Sequence, residues 1–277
     1  MKYFDLYNGN NLPAVGLGVY TLENEPELRK VMIVAHEANY ELIDTAYFYK
    51  NEEFIGEIIQ SEKLNKFKIA SKVWPSDFGA DATKRSIERS LKSLKTDRLE
   101  IMYLHWPGED SEQSWKVLED YYEQGVFKNI GVCNFYKHHL DKLSVTANIK
   151  PHVNQIETHP LLTLNNFIDY LKKENIQPIA WSPLARGNGE LFNDQAVLKL
   201  AKKYNVSVGQ IVLKYNIARD VIVLPRTTKE KRVFENIDLF DFELSKEDLE
   251  ILNSLNIDKH VSHSPEETEW LEEIRKK

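Results

Sequence analysis

Four side chains with acid–base chemistry follow short apolar runs in the first half of the chain. The stretch "ELIDTAYFYKNEEFIG" at residues 41–56 ends an apolar run with Asp44, and Tyr49 follows five residues later. Lys72 ends the run "FKIASK", and His105 ends the run "LEIMYLH". Turns favour Gly, Pro, Asn or Asp, so a turn alone does not explain the aromatic residues after Asp44. Together, a carboxylate, a phenol, an amine and an imidazole are the groups that general acid–base catalysis uses.

The amine determines what this group of residues can do. Lys72 has apolar neighbours, and a buried ammonium needs a partner of opposite charge, which Asp44 can provide. An ammonium beside a phenol stabilises the phenolate, so we expect the pKa of Tyr49 to fall below about 10. Tyr49 would then act as a general acid, with His105 donating to the same substrate oxygen. The alternative is a purely structural ion pair between Lys72 and Asp44.

Other reaction types have less support in the sequence. The chain has no G-x-S-x-G elbow, and its one cysteine, Cys133, has no evident activating base, so we expect no covalent catalysis through Ser or Cys. His138 and His139 are adjacent without further ligands at suitable spacing, so no metal site is predicted. A proton donor without a nucleophile indicates carbonyl reduction with hydride from a cofactor. A lyase or aldolase using Lys72 as a Schiff base remains an alternative, which pairing with Asp44 disfavours.

The elements that must position these residues alternate along the chain. Short apolar runs bounded by turn residues alternate with amphipathic helical segments. The predicted strands span residues 15–18, 41–44, 67–72, 99–105, 129–134, 152–157, 178–182 and 221–224. Alternating β and α units predict a parallel sheet, and eight units in 277 residues fit a closed (β/α)8 barrel. In a barrel, the carboxyl ends of the strands share one mouth, so the four side chains should meet there.

An open dinucleotide-binding sheet is the rival architecture. Its phosphate-binding fingerprint is G-x-G-x-x-G at the start of a helix, but "GLGVYT" at residues 16–21 has threonine at the third glycine. The next helix begins only near Pro26, which further weakens this interpretation.

Two local signals give sharper expectations. Asn8-Gly9 lies between alternating apolar residues and predicts a hairpin with a two-residue turn. Residues 207–218 have a helical pattern, with Ser207 as the expected N-cap.

Composition limits the class of protein. The net charge is −7, which argues against nucleic acid or a membrane surface as the main partner. A single cysteine fits a reducing compartment, and no apolar run approaches the length of a membrane span. The N-terminus has no apolar segment typical of a signal peptide, so we expect a cytoplasmic protein.

Seven motifs in order resemble those of the aldo-keto reductase family, from one end of the chain to the other. They are "IDTAYFYKNE" (43–52), "ASKVWP" (70–75), "YLHWPG" (103–108), "GVCNF" (131–135), "VNQIETHP" (153–160), "AWSPL" (180–184) and "LPRTTKEKRVFEN" (224–236). The short bacterial and protozoan members are the most similar, including diketogluconate reductases, glyoxal reductases and prostaglandin F synthase-like enzymes. This resemblance implies one domain over residues 1–277, a (β/α)8 TIM barrel whose bottom is capped by an N-terminal β-hairpin.

The resemblance also implies a catalytic tetrad of Asp44, Tyr49, Lys72 and His105, and NADPH as the cofactor. The implied cofactor-binding residues are Asn134, Gln155, Trp181, Ser182, Leu184, Arg226, Thr227, Thr228, Arg232, Glu235 and Asn236. Asn134 and Gln155 would hold the nicotinamide carboxamide, and Trp181 would stack on the ring. Phe48, Trp74 and Trp106 are expected to line the substrate pocket, although simple packing would also explain them.

The stretch "PRTTKEKRVFEN" has the properties of a phosphate-binding segment. Cationic side chains cluster around Thr227 and Thr228 where a helix begins, which favours an anion. A solvated charged face is the alternative. The resemblance assigns this segment to the 2′-phosphate of NADPH, with Arg226 where lysine is usual. Cys133 stands where the family has serine, and Arg186 stands where it has a small residue.

The predicted function is NADPH-dependent reduction of small aldehydes and ketones, such as methylglyoxal. The resemblance also implies a monomer, since members of this kind are often monomers. A non-catalytic NADP-binding subunit on the same fold is an alternative that the intact tetrad disfavours. The short loop after Trp181 indicates an open site. The tail "SHSPEETEWLEEIRKK" either closes over the pocket or is a solvated end, and His36 and His260 are expected to face solvent.

Overall fold

A computed structural model describes residues 2–276 of the chain. Within this range the strands are β1 (Tyr3–Asp5), β2 (Asn11–Pro13), β3 (Leu17–Gly18), β4 (Leu42–Asp44), β5 (Lys68–Val73), β6 (Leu99–Leu104), β7 (Phe127–Cys133), β8 (Val153–Glu157), β9 (Gln177–Trp181) and β10 (Ile222–Val223). The strands predicted from the sequence match β3 to β10 within two residues at each end.

The helices lie between and after these strands. In the described residues they are α1 (Glu25–Glu37), α2 (Glu52–Ser61), α3 (Ala80–Ser93), α4 (Ser111–Glu123), α5 (Lys137–Ser144), α6 (Asn165–Lys173), α7 (Gly189–Phe192), α8 (Gln195–Tyr204), α9 (Val208–Ala218), α10 (Glu230–Ile237), α11 (Lys246–Asn253) and α12 (Thr268–Ile274). Short 3-10 turns cover Tyr47–Tyr49, Pro75–Asp77 and Ala185–Gly187. Ser207 caps α9 as predicted, because its hydroxyl accepts from the backbone N–H of Gln210 at 3.2 Å.

Strands β3 to β10 form one parallel sheet in which each strand pairs with the next in sequence. The sheet closes on itself, since Val15 bridges to Val223 in parallel and the Gly18 N–H donates to the Pro225 carbonyl at 3.1 Å. We call this junction of β3 and β10 the seam. A Cβ on Gly18 would lie 2.9 Å from the Leu224 carbonyl oxygen, so glycine permits the close approach there. The predicted (β/α)8 barrel is confirmed, and the glycines of "GLGVYT" serve its closure.

The N-terminal hairpin covers the bottom of the barrel, as predicted. Asn10 Nδ2 donates to the Lys128 carbonyl at 2.9 Å, and Asn8 Nδ2 donates to Asn129 Oδ1 at 3.0 Å, both near the start of β7. The predicted two-residue turn is wrong. The backbone N–H of Leu6 donates to the Asn10 carbonyl at 2.8 Å, which leaves a three-residue loop ending in Gly9 at φ 85°. A three-residue hairpin loop typically needs a left-handed residue at this point, and Gly9 provides it.

The barrel strands are buried on both faces. All six residues of β6 and all five of β8 are buried, as expected for strands with helices outside and packed side chains inside. None of the helices formed by residues 2–276 combines the length and hydropathy needed to cross a bilayer.

Candidate active site

A cleft of about 1380 Å³ opens at the carboxyl ends of the barrel strands. The elements deliver the predicted residues to it in register: Asp44 is the last residue of β4, Lys72 is next to last in β5, and His105 directly follows β6. Tyr49 ends the 3-10 turn that follows β4. Asp44, Tyr49 and His105 line the cleft, while Lys72 lies immediately beneath them. We call these four residues the catalytic floor.

Lys72 and Asp44 form a buried ion pair. Lys72 Nζ lies 2.5 Å from Asp44 Oδ1 and donates to the Thr45 carbonyl at 2.8 Å, and the two side chains are 0% and 5% exposed. Gln155 Nε2 donates to the other Asp44 oxygen at 2.7 Å, so both carboxylate oxygens are occupied. Burial, the largest single influence, would lower the pKa of Lys72, but the charge of Asp44, its hydrogen bond and the neighbouring Tyr49 and Cys133 together outweigh burial, so the pKa lies above the ordinary value. The amine is therefore held as an ammonium, which disfavours a Schiff base.

The hydroxyl of Tyr49 lies next to this ammonium. Lys72 Nζ donates to Tyr49 Oη at 3.4 Å. The expected fall in the pKa of Tyr49 is nevertheless wrong in sign. Burial raises the pKa above its ordinary value of 10.0, and the positive charge of Lys72 only partly offsets that rise. Tyr49 is thus a protonated phenol at neutral pH, ready to donate, with an adjacent ammonium that would stabilise the phenolate left behind.

His105 is a neutral imidazole in the same pocket. Burial, reinforced by the nearby charge of Lys72, lowers the pKa of His105 well below 6.5. Its ring meets the Tyr49 ring edge to face, with centroids 5.6 Å apart. Its Nδ1 is buried and has no partner among the described residues. A neutral ring at this position can donate one N–H to a substrate oxygen without adding a second positive charge beside Lys72.

Aromatic side chains form the wall above the catalytic floor. Phe48 stacks on Trp74 with ring centroids 3.9 Å apart, and Trp74 meets His105 edge to face at 4.9 Å. Trp106 packs against Trp270 of α12 at 4.6 Å. The predicted Phe48, Trp74 and Trp106 all line the cleft.

The sequence left the position of the C-terminal tail open, and the structure places it against the cleft. Trp74 Nε1 donates to the Ile274 carbonyl at 3.2 Å, and Ser262, His263, Trp270 and Ile274 line the cleft. Sequence reasoning did not single out these four residues. Only the tryptophan in a polar tail could have indicated a packed position.

The expectation that His36 and His260 face solvent is wrong. His260 Nδ1 lies 3.2 Å from Glu157 Oε2, and the His260 side chain is 22% exposed. His36 is half-buried at the end of α1, with its ring edge to face with Phe67. In both cases a distant element covers the ring.

Asn134, Gln155 and Trp181 lie together between the catalytic floor and the rest of the cleft. Trp181 Nε1 donates to Asn134 Oδ1 at 2.7 Å, and Asn134 Nδ2 donates to the His105 carbonyl at 3.2 Å. These bonds hold the two residues as one unit that also borders His105. Burial raises the pKa of the adjacent Cys133 thiol, which therefore stays neutral and is a poor nucleophile.

The other end of the cleft is cationic. Arg226, Lys229 and Arg232 are exposed, line the cleft, and have no carboxylate within ion-pair distance in residues 2–276. We call these three residues the cationic rim. Lys231 is 87% exposed and pairs with Glu235 at 3.4 Å. The buried Thr227 accepts from the Lys229 N–H at 3.1 Å and so fixes the turn that begins α10.

The remaining predicted cofactor residues also border the cleft: Ser182, Leu184, Thr227, Thr228, Glu235 and Asn236. Tyr20, Thr21, Ser207 and Gly209 line it as well and were not predicted. An elongated cleft with a ring-sized aromatic surface near one end and unpaired cations at the other fits a dinucleotide phosphate. Among the described residues, no three His, Cys, Asp or Glu side chains come together as metal ligands.

Comparisons with known proteins agree with this geometry. The sequence profile of the "Aldo/keto reductase family" matches residues 14–257. A glyoxal reductase of Bacillus subtilis is 42% identical over 265 residues, covering 95% of each chain. The methylglyoxal reductase DkgA of Escherichia coli is 33% identical over 267 residues, covering 95% of this chain and 96% of its own. The crystal structure of a Bombyx mori aldo-keto reductase in complex with NADP superposes with a TM-score of 0.90 at 30% identity, covering 97% of this chain and 96% of that one.

Proposed function

Because the chain belongs to the aldo/keto reductase family, we propose that it reduces small aldehydes and ketones to alcohols with NADPH, using Tyr49 as the proton donor. The observation that carries the assignment of roles is the contact between Lys72 and Tyr49 at 3.4 Å, on the floor of a cleft where Lys72 is already held as an ammonium by Asp44. Proton donation by a phenol needs such a group beside it, because the phenolate formed would otherwise be buried without a counter-charge.

The proton transfer follows from these contacts. NADPH supplies hydride to the carbonyl carbon when it is bound. Tyr49 Oη then gives its proton to the carbonyl oxygen, on which negative charge develops. The N–H of neutral His105 positions that oxygen, and Lys72 stabilises the phenolate of Tyr49. Asp44 and Gln155 keep Lys72 charged and in place.

The assigned cofactor residues divide between the two ends of the cleft. Trp181 would offer its face to the nicotinamide, and Asn134 and Gln155 would hold the carboxamide; all three line the cleft. Arg226, Thr227, Thr228 and Arg232 would hold the 2′-phosphate, for which exposed guanidinium groups without a carboxylate partner are well suited. Ser182 and Leu184 would contact the pyrophosphate, and Glu235 and Asn236, with Arg232, would contact the adenosine end.

Small dicarbonyls such as glyoxal and methylglyoxal are the substrates we assign, since the names of two relatives specify them. We also assign residues 1–277 to a single domain that acts as a cytoplasmic monomer without a nucleic-acid partner. The net charge of −7 and the single cysteine support this setting.

The test is NADPH consumption with methylglyoxal and with a nitrobenzaldehyde, in the wild type and in Tyr49→Phe. We expect Tyr49→Phe to lose turnover by about 10³-fold while its Kd for NADPH stays within about twofold of the wild type, because the ring remains and only the proton is lost. Tyr47→Phe is the matched control. Tyr47 lies two residues before Tyr49 and outside the cleft lining, and its ring centroid is 3.4 Å from Arg89 Cζ. The Tyr47→Phe variant should therefore keep wild-type activity.

Three results would overturn the proposal. Wild-type protein that binds NADPH but consumes none with either aldehyde would be a non-catalytic cofactor-binding protein. Full turnover in Tyr49→Phe would remove the phenol from the reaction. Borohydride trapping of a covalent adduct on Lys72 would indicate Schiff-base chemistry instead.

A further inference from the structure

The loop that carries Tyr49 is held at both ends by one buried amide. Residues 45–51 leave β4, form the 3-10 turn Tyr47–Tyr49, and enter α2 at Asn51. Asn51 is fully buried, with 0% exposure, although it lies outside the cleft lining. We propose that Asn51 is a positioning residue that fixes the phenol of Tyr49 against Lys72 and the substrate oxygen. The inference rests on the proposed reductase function and adds a residue to it.

The side chain of Asn51 makes three hydrogen bonds to two other segments. Its Oδ1 accepts from Thr45 Oγ1 at 2.6 Å. Its Nδ2 donates to the carbonyls of Val19 at 2.9 Å and of Leu22 at 3.2 Å. The amide therefore joins the two ends of the Tyr49 loop and ties both to the segment after β3.

Both segments that Asn51 bonds, Thr45 and the segment after β3, contact residues of the catalytic floor. Thr45, which Asn51 holds through its hydroxyl, uses its backbone carbonyl to accept from Lys72 Nζ at 2.8 Å. The segment after β3 carries Tyr20, whose ring packs on Tyr49 with centroids 4.9 Å apart. Moving Asn51 would therefore disturb Tyr49 from two sides and Lys72 from one.

The position requires an amide rather than a carboxylate of the same shape. Two of the three bonds need a donor on Nδ2, and both of its partners are buried backbone carbonyls. A carboxylate at residue 51 would place an oxygen against those carbonyls, which is repulsive and leaves them unsatisfied. Asn51→Asp is therefore a nearly isosteric change that reverses the two contacts with the segment after β3 and preserves the bond from Thr45.

The experiment compares single-turnover rates of NADPH oxidation, normalised to the number of NADPH-binding sites so that misfolded protein does not count. Asn51→Asp should lower this rate by about 100-fold, because a displacement of about 1 Å at a reacting group can cost that much. Its Kd for NADPH should stay within about threefold, since the assigned cofactor residues are on other loops. Asn39→Asp is the matched control. Asn39 is exposed after α1, and its Oδ1 accepts from Lys66 at 3.3 Å, as a carboxylate would.

A second pair of variants decides the matter if Asn51→Asp does not fold. Thr45→Val removes only the hydroxyl that bonds Asn51 and should slow the normalised single turnover about tenfold, whereas Thr45→Ser keeps the hydroxyl and should restore it to within about twofold. Equal normalised rates in Thr45→Val, Thr45→Ser and the wild type, with only the melting temperature changed, would overturn the positioning role. A wild type without reductase activity would instead overturn the proposed function itself, so the two failures are distinguishable.

Discussion

The catalytic floor and the cationic rim lie in one cleft but differ in almost every physical property. The floor is buried, with Asp44, Lys72 and His105 between 1% and 7% exposed, and its charges are paired within the protein. The rim is exposed, and Arg226, Lys229 and Arg232 have no carboxylate partner within residues 2–276. The charges of the floor are therefore paired within the protein before a ligand binds, whereas the charges of the rim can pair with an anionic ligand.

This difference in burial predicts different roles for the two regions, turnover for the floor and cofactor affinity for the rim. Burial makes the floor sensitive to any change in charge, because an unpaired charge there has no water to solvate it. The rim is screened by solvent, so each of its charges contributes a moderate and salt-dependent part of the affinity. Variants at the floor should therefore change turnover, and variants at the rim should change affinity.

Among the variants that compare the charged groups of the floor and the rim, the largest effect is expected at Lys72. Lys72→Met should lower kcat by about 10²- to 10³-fold, because the phenolate of Tyr49 would lose its counter-charge while the cofactor contacts remain. It should also reduce the free energy of unfolding by about 3–5 kcal/mol, since Asp44 would be buried and unpaired. Steady-state kinetics and denaturant unfolding measure the two quantities.

The double variant Asp44→Asn/Lys72→Met separates these two losses. It removes both charges, so it should recover most of the stability while remaining as inactive as Lys72→Met. Recovery of activity along with stability would mean that the floor needs only intact packing, and the contrast with the rim would fail.

A smaller effect is expected at the rim. Arg226→Ala should weaken NADPH binding by about 10- to 100-fold and leave NADH binding and kcat at saturation nearly unchanged, because the guanidinium is assigned to the extra phosphate. The difference between wild type and variant should narrow as salt is raised. Arg85→Ala, the same change on the exposed face of α3, is the control in the titration. An equal loss of NADH affinity would contradict this assignment, because NADH has no 2′-phosphate.

The smallest effect is expected at the tail, which borders the floor without entering it. Trp270→Ala should raise KM for an aromatic aldehyde about three- to tenfold and change kcat by less than about twofold, because it removes wall area and no reacting group. Trp270→Phe keeps a ring against Trp106 and should recover most of the loss. A large fall in kcat would show that α12 helps to form the floor.

The sequence predicted the floor well because barrel geometry converts strand ends into neighbours. Asp44, Lys72 and His105 end successive apolar runs, and parallel strands in register must bring those ends together. The rim was predicted from charge clustering at a helix start, which is a local property. Asn134 and Gln155 also lie at the ends of predicted strands, and the family motifs then added Trp181 and the cofactor-binding role of all three residues.

What the sequence could not predict depends on how tightly distant segments pack. The sign of the pKa shift of Tyr49 is set by burial outweighing Lys72, and burial depends on every surrounding element. The packing of Trp270 depends on Trp106, far away in the chain. Asn51 directly precedes α2, and its contacts with Val19 and Leu22 form only when β3 and β4 have paired and brought the segments that follow them together.

The position of the cleft across the seam links ligand binding to the stability of barrel closure. Every other pair of neighbouring barrel strands is also adjacent in the chain, but β3 and β10 meet only after nearly all of the barrel has been assembled. Gly18 and Val19 border the cleft on one side of the seam, and Pro225 and Arg226 border it on the other. A molecule that fills the cleft therefore contacts both sides of the seam. Local opening at the seam, as measured by amide hydrogen exchange, should be rarer in the occupied barrel than in the empty one.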